Sequence, residues 1–306
     1  MKVKAIVLLS GGLDSILAAK LLIEQGIDVT GVCFKSYFFD EKRAKIAAKK
    51  LGIPLKVIDF SSEHLEIVKK PKYGYGSAAN PCIDCHILML KKAKELMKKG
   101  KYNFVATGEV LGERPMSQNL KALEIVEKES SLTGYLLRPL SAKLLPENIP
   151  IKAGWVDKTK LLAISGRSRK QQIQLAKSFN IDWYPQPAGG CILTDPQFGK
   201  RVKELLKISP NCDGNDVCLL KFGRHVWKDK VKIVIGRNAE ENREIAKLAK
   251  KGDIIIEMEN YPGPLTLIRN YGNKKISKEI INQAKKLTQY YSTKARGKND
   301  VKFKIS

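Results

Sequence analysis

Two groups of residues in this chain of 306 have types and spacings suited to chemistry. The first is Ser10-Gly11-Gly12-Leu13-Asp14-Ser15, which follows the apolar run Ala5–Leu9 and precedes a stretch with Leu17, Leu21 and Leu22 on one side. A strand, a glycine-rich turn and a helix together hold phosphate, because the turn's backbone N–H groups and the helix N-terminus converge on the anion. Gly11 and Gly12 let the chain bend tightly and approach a ligand, and Ser10 and Ser15 add hydroxyl donors. Asp14 would repel a phosphate unless a cation lay between them, so it is expected on a magnesium side of the site or as a helix N-terminal carboxylate. The string is neither a Walker A loop nor a dinucleotide fingerprint, since no Gly-Lys-Ser/Thr follows and G-x-G-x-x-G is absent. The second group is thiols. Cys82 and Cys85 form a Cys-x-x-Cys pair at a predicted helix start, where the helix dipole should favour thiolate. Cys191 follows Gly189 and Gly190, expected to allow close approach of backbone and ligand. Three cysteines on two segments suit a [4Fe–4S] cluster with one open iron, a structural Zn2+ with His86 as fourth ligand, or a redox pair with a persulfide carrier. Spacing alone leaves these open, and His86 reads first as a helix-face histidine. Cys33 reads as a buried strand thiol, and Cys212 and Cys218 as a turn and a core cysteine.

The elements that must position these residues are legible in the pattern. Strands are expected at Ile27 to Phe34, Pro54 to Phe60 and Tyr102 to Gly108, and helices at Asp40 to Leu51, from Cys85 onward, at Leu120 to Ser130, Asp157 to Ile164 and Ser168 to Asn180. Such alternation predicts a doubly wound parallel sheet, an α/β fold, with its ligand beyond the carboxyl ends of the strands. The loop at Ser10, the segment after Phe34 and the segment at Gly108 meet there. His64 to Asn80 reads as a long irregular loop, and Arg167, Arg169 and Lys170, cations at a helix start, as phosphate contacts. A break is expected near Pro196 to Ser209. Beyond it, strands at Val217 to Phe222, Lys232 to Gly236 and Ile254 to Glu257 with helices at Ala239 to Lys250 and Lys278 to Thr288 predict a second, smaller α/β domain.

Composition narrows the partners. The net charge of +25 suits a polyanion, because Lys and Arg neutralise phosphates and release counterions. Residues 197–306 carry 25 basic and 12 acidic side chains against 31 and 19 in the first 196, so the last third is the more basic per residue. No run approaches the ~18 apolar residues of a membrane span, and the short N-terminal apolar patch serves better as a strand than as a secretion signal, so a cytoplasmic protein without a membrane partner is expected.

The full string SGGLDS with its upstream strand resembles the pyrophosphatase loop (PP-loop) of enzymes that split ATP into AMP and pyrophosphate. With NPCIDCH, GERPMSQ, ISGRSRKQQ and PAGGCILTD, residues 1–200 resemble PP-loop tRNA thiolation enzymes of the MnmA/ThiI type. Residues 201–306, through IVIGRNAEENREIAKLAKKGDIIIEMENYPGPLTLI and YYSTKARGKNDVKF, resemble the RNA-binding domain of NFACT proteins. The resemblance implies an adenine nucleotide alpha hydrolase-like domain and an RNA-binding domain. It implies an ATP-dependent tRNA sulfurtransferase that adenylates a uridine carbonyl and replaces its oxygen with sulfur. Ser10, Gly11, Gly12, Asp14, Ser15, Phe34 and Gly108 would bind ATP and Mg2+. Cys82, Cys85 and Cys191, with Asp14, would carry the chemistry, and having Cys82 as well as Cys85 favours the cluster version. tRNA and a sulfide or persulfide donor would be partners, and a homodimer is a candidate assembly. By the same likeness Arg237, Asn238 and the Ser292 to Lys298 stretch would contact RNA. THUMP-like, rhodanese-like and C-terminal barrel segments are not found in the sequence. Two other functions compete: a PP-loop enzyme forming an amide or nitrile on a small molecule with a zinc Cys-x-x-Cys site, and a non-catalytic RNA- or ribosome-binding adaptor.

Overall fold

The computed structural model of the chain describes residues 2–185 and 191–306. It divides into two compact units, Met1–Pro196 and Gln197–Ser306.

The first unit is built on a five-stranded, wholly parallel sheet in the order β3-β2-β1-β4-β5. Its strands are β1 (Lys4–Leu8), β2 (Asp28–Lys35), β3 (Leu55–Asp59), β4 (Phe104–Ala106) and β5 (Leu136–Leu137). The helices between them are α1 (Leu13–Ile23), α2 (Lys42–Leu51), α3 (Ser61–Lys69), α4 (Cys82–Lys99) and α5 (Leu120–Glu129); α6 (Ile149–Lys152) and α7 (Lys170–Ser178) follow β5. Alternation along β1 sends its side chains to two cores. Ile6 packs with Ile83, Ile87 and Leu90 of α4, and Ala5 and Val7 pack with Ala19 and Leu22 of α1. A strand buried on both faces must be apolar throughout, which is why the sequence runs Ala-Ile-Val-Leu without alternation. Each fully buried Leu or Ile contributes roughly 1.5–3 kcal/mol. The strand order reverses between β1 and β4, so the loops leaving these two strands share one crevice.

The second unit is an antiparallel sheet in the order β10-β8-β9-β7-β6. Its strands are β6 (Arg224–Lys228), β7 (Val231–Ile235), β8 (Ile254–Met258), β9 (Thr266–Asn270) and β10 (Phe303–Ile305). The helices are α8 (Pro196–Ile208), α9 (Gly214–Leu219), α10 (Ala239–Lys247) and α11 (Lys278–Tyr290). Lys232 is fully buried with its ammonium 4.6 Å from the Trp227 ring centroid, and burial pushes its pKa down to about 7.

Several expected elements differ. The irregular loop begins later than His64, because α3 occupies Ser61–Lys69, started by the Asp59 carboxylate that accepts from the Ser61 N–H at 3.0 Å. Only a short 3-10 turn, Lys158–Lys160, forms where a helix over Asp157 to Ile164 was expected. The two units divide at Pro196, within the stretch where the break was expected, and the chain enters the second unit as helix α8, with proline at a helical start where its missing N–H costs nothing. Val217 to Phe222 is not a strand. Its first half, Val217 to Leu219, belongs to α9, started by a reciprocal capping box between Asp213 and Asp216.

Candidate active site

The turn after β1 and the start of α1 form the first half of the site. Gly11 has φ +77°, and a Cβ there would collide with the Arg43 carbonyl group, so glycine is required twice over. Gly12 caps α1, which leaves the first-turn N–H groups of that helix directed into the loop. The hydroxyls are engaged within the turn. The Gly12 N–H donates to Ser10 Oγ (3.2 Å), Ser10 donates to Ser15 (3.2 Å), and Ser15 donates to the Gly12 carbonyl (2.8 Å). Ser15 is buried, and its hydroxyl is engaged within the turn. Gly108, leaving β4, presses on this turn: a Cβ there would lie 2.5 Å from both Asp14 C and Ser15 N.

Charge gathers at the same place. Arg169, the residue before α7, lies 3.5 Å from Asp14 Oδ2, so the predicted cation is brought to the loop. Burial raises the Asp14 pKa, and the Arg169 and Arg114 charges oppose it. Glu113 is also raised, by burial first and then by the Asp14 charge. Asp14 Oδ1 and Arg169 Nε are buried without hydrogen-bond partners. An orphaned carboxylate oxygen beside a second carboxylate is a donor set that fits a hard cation such as Mg2+. Phe34 departs from expectation: its side chain is buried in the core, 5.2 Å from the Phe60 ring, leaving only its backbone at the strand end.

The thiols form the second half. Cys82 opens α4, and its sulfur accepts from Asn80 Nδ2 at 3.2 Å. The Cys191 segment is tied to the same region, because the Ala79 N–H donates to the Leu193 carbonyl at 3.2 Å. Cys85 is pushed well above its ordinary value, by burial first and then by the Cys191 and Cys82 charges. Burial also raises Cys82, against the Asn80 hydrogen bond and the Arg114 charge, and lifts Cys191 to about 11. The expectation that the helix dipole favours thiolate is thus corrected, since desolvation outweighs the dipole. The three thiols influence one another, yet among the described residues no three His, Cys, Asp or Glu side chains are gathered closely enough to hold a metal ion. As placed, the donor set does not fit zinc, and nothing in it supports the [4Fe–4S] cluster. His86 is moreover engaged elsewhere, at 2.8 Å from Glu109. Gly189 and Gly190 lie outside the described residues. Cys33 and Cys212 are buried, and Cys218 sits on α9.

Glu109 is the main residue that sequence reasoning missed. Burial alone would raise its carboxyl, but the Arg138 charge and the His86 hydrogen bond outweigh this and hold it at about 2. Arg138 also reaches Glu127 (2.9 Å) and the Leu123 carbonyl (3.1 Å), fixing β5 and α5 against the loop after β4. Because the folded pKa lies below the ordinary 4.5, this carboxylate stabilises the fold above pH 4.5 and ceases to do so as pH falls toward 2. Arg138→Met leaves a buried carboxylate without its main partner and is expected to cost about 3–5 kcal/mol, read by urea unfolding at pH 7. An unchanged midpoint would contradict the clamp.

In the second unit, three expected RNA contacts have structural duties. Asn238 caps α10, accepting from the Glu241 N–H at 2.9 Å, and Arg237 pairs with Glu241. Ser292 Oγ donates to the Pro262 carbonyl (2.8 Å) and accepts from the Ala295 N–H (3.1 Å).

Comparison with known proteins agrees with this division. Residues 223–306 match the NFACT protein RNA binding domain. Among curated relatives, the tRNA-specific 2-thiouridylase MnmA of Karelsulcia muelleri is 28% identical over 263 residues, covering 80% of this chain and 64% of that protein. That of Treponema denticola is 32% identical over 169 residues, covering 48% and 44%. The chain thus spans less than two thirds of the length of these relatives. Two solved structures are similar. A predicted subunit of tRNA methyltransferase from Methanocaldococcus jannaschii has a TM-score of 0.39 and 19% identity, over 57% of this chain and 76% of that one. A 4-thiouridine synthetase–RNA complex with bound ATP has a TM-score of 0.33 and 20% identity, over 58% and 51%. Residues 3–178 match the tRNA methyl transferase HUP domain, and with more than half of its length in that match the chain belongs to this family.

Proposed function

We propose that the chain is an ATP-dependent, AMP-forming tRNA thiouridine synthetase. Its first unit binds ATP and carries the chemistry, and its second grips RNA. The observation that supports this most is the phosphate turn, with Arg169 3.5 Å from Asp14 Oδ2, in a chain whose residues 3–178 match the tRNA methyl transferase HUP domain.

In this reading a uridine carbonyl oxygen attacks the α-phosphorus of ATP, and pyrophosphate leaves against the N–H groups of the Gly11–Asp14 turn. Asp14 and Glu113 would hold Mg2+, which neutralises phosphate charge when bound. Arg169 and Arg114 steady the anion as it develops. A persulfide sulfur on one of Cys82, Cys85 and Cys191 then attacks the activated carbon, and AMP leaves with the former carbonyl oxygen. A second thiol attacks the carrier cysteine's sulfur, giving a disulfide and the thiolated base. The terminal persulfide sulfur comes from a persulfide donor, whose own sulfur leaves as a thiol, and a reductant restores the thiols. No step passes through a metal cluster. Nucleoside mass spectrometry of tRNA with and without the gene tests the reading: one thionucleoside should vanish on deletion. An unchanged thionucleoside set would refute it.

A further inference from the structure

We propose that four side chains of the second unit, Arg224, Tyr291, Tyr290 and Arg296, form a stacking platform for unpaired nucleotides of an RNA. The inference rests on RNA being the partner and names the kind of RNA segment held. Tyr290 closes α11 and is 55% exposed, one of few large apolar side chains so exposed. Its ring meets Tyr291 edge-on, with centroids 5.1 Å apart. The Arg296 guanidinium carbon lies 4.7 Å from the Tyr290 centroid, and that of Arg224 lies 4.4 Å from the Tyr291 centroid. The result is one continuous array, cation–ring–ring–cation.

The arginines differ from others in the unit. Arg269 is bound to Asp216 and Asp253, and Arg237 to Glu241. Among the described residues, Arg224 and Arg296 have no carboxylate partner, and Arg296 is anchored through Nε, which donates to the Tyr290 carbonyl at 2.7 Å. Their terminal N–H groups remain available to phosphate or base edges while each plane is held against a ring.

The segment is also set in place beforehand. Gln289 Nε2 donates to the carbonyls of Ala295 (3.1 Å) and Lys298 (2.6 Å), and Ser292 Oγ accepts the Lys294 and Ala295 N–H groups. Gly297, at φ +76°, completes the turn. Holding the loop in its working shape reduces the ordering cost of binding. Residues 290–298 contain Lys294, Arg296 and Lys298 and no acidic residue, which complements a phosphate chain. An exposed ring and flat guanidinium groups stack only on base faces that are free. In a duplex those faces are covered, which selects unpaired RNA.

The test is fluorescence anisotropy of the full chain with a labelled unstructured RNA of about 12 nucleotides, within the usual range of single-strand sites, and with a duplex of the same length. Tyr290→Ala should weaken single-strand binding about tenfold, the scale of one lost base stack, and change duplex binding by less than about twofold. Tyr290→Phe should bind as the wild type does. Arg296→Lys keeps the charge and loses the plane, so it should weaken single-strand binding with the salt dependence preserved. Thermal melts verify folding, and Arg296→Lys carries the test if Tyr290→Ala does not fold. Equal loss on duplex and single strand, no loss with Tyr290→Ala or Arg296→Lys, or displacement by polyglutamate but not by RNA would overturn the proposal. AMP release and thionucleoside formation by the same preparations separate the two readings. Absent thiolation with the expected affinity changes sinks only the function proposed above. Normal thiolation with unaltered single-strand affinity sinks only the platform.

Discussion

Of Cys191→Ala, Cys82→Ala and Cys85→Ala, the two that remove the carrier and the attacking thiol are expected to lose thionucleoside formation by at least about 1,000-fold while binding ATP as the wild type does. The reason lies in the shared surroundings of the three thiols. Each has its pKa raised chiefly by burial, and Cys85 is raised further by the charges of both of the others. Carrying sulfur and releasing it needs two thiols acting in turn, so losing either member stops turnover. The nucleotide half keeps its own supports, Gly12, Ser15 and Asp14, none of which depends on a thiol. Isothermal titration with ATP and mass spectrometry of tRNA digests measure the two halves separately. A Cys191→Ala protein with full thiolation activity would remove that thiol from the chemistry.

Gly108→Ala is expected to abolish ATP binding, by about 100-fold or more, by displacing the phosphate turn. The added carbon would lie 2.5 Å from backbone atoms of Asp14 and Ser15, and backbone at the start of a buried helix cannot give as a flexible side chain can. The turn must shift, and its N–H groups shift with it. Gly12→Ala provides the contrast. Its Cβ would meet only Ser10 Oγ, at 3.4 Å, and its φ of −80° suits any residue. That variant should melt like the wild type, so any loss of ATP affinity reports close approach of the ligand itself. Wild-type affinity in Gly108→Ala would contradict the packing of the β4 loop on the phosphate turn.

The site was legible where one short segment carries its own chemistry. Ser10 to Ser15 needs only its flanking strand and helix, and the period of apolar residues gave both. Cys82 and Cys85 were visible as a pair, but their elevated pKa values were not, because desolvation depends on what packs above a helix end. Glu109 and Arg138 lie 29 residues apart and meet only once β4 and β5 are paired, so no local pattern announces them. β5 has two residues, too short for any period. The run before Phe222 was read as a strand because a short apolar stretch fits strand or helix alike. The Asp213 and Asp216 capping pair was the available signal for a helix. The aromatic–arginine array was hidden for the same reason as the clamp, since Arg224 joins Tyr291 from a strand far away in sequence.

The most direct measurement is product stoichiometry with the purified full chain, tRNA, ATP labelled in the α-phosphate and a labelled sulfur donor. The account predicts one AMP and one pyrophosphate for each sulfur atom found in a uridine of the RNA. ADP as the nucleotide product, or AMP formed with no sulfur entering the RNA, would contradict it.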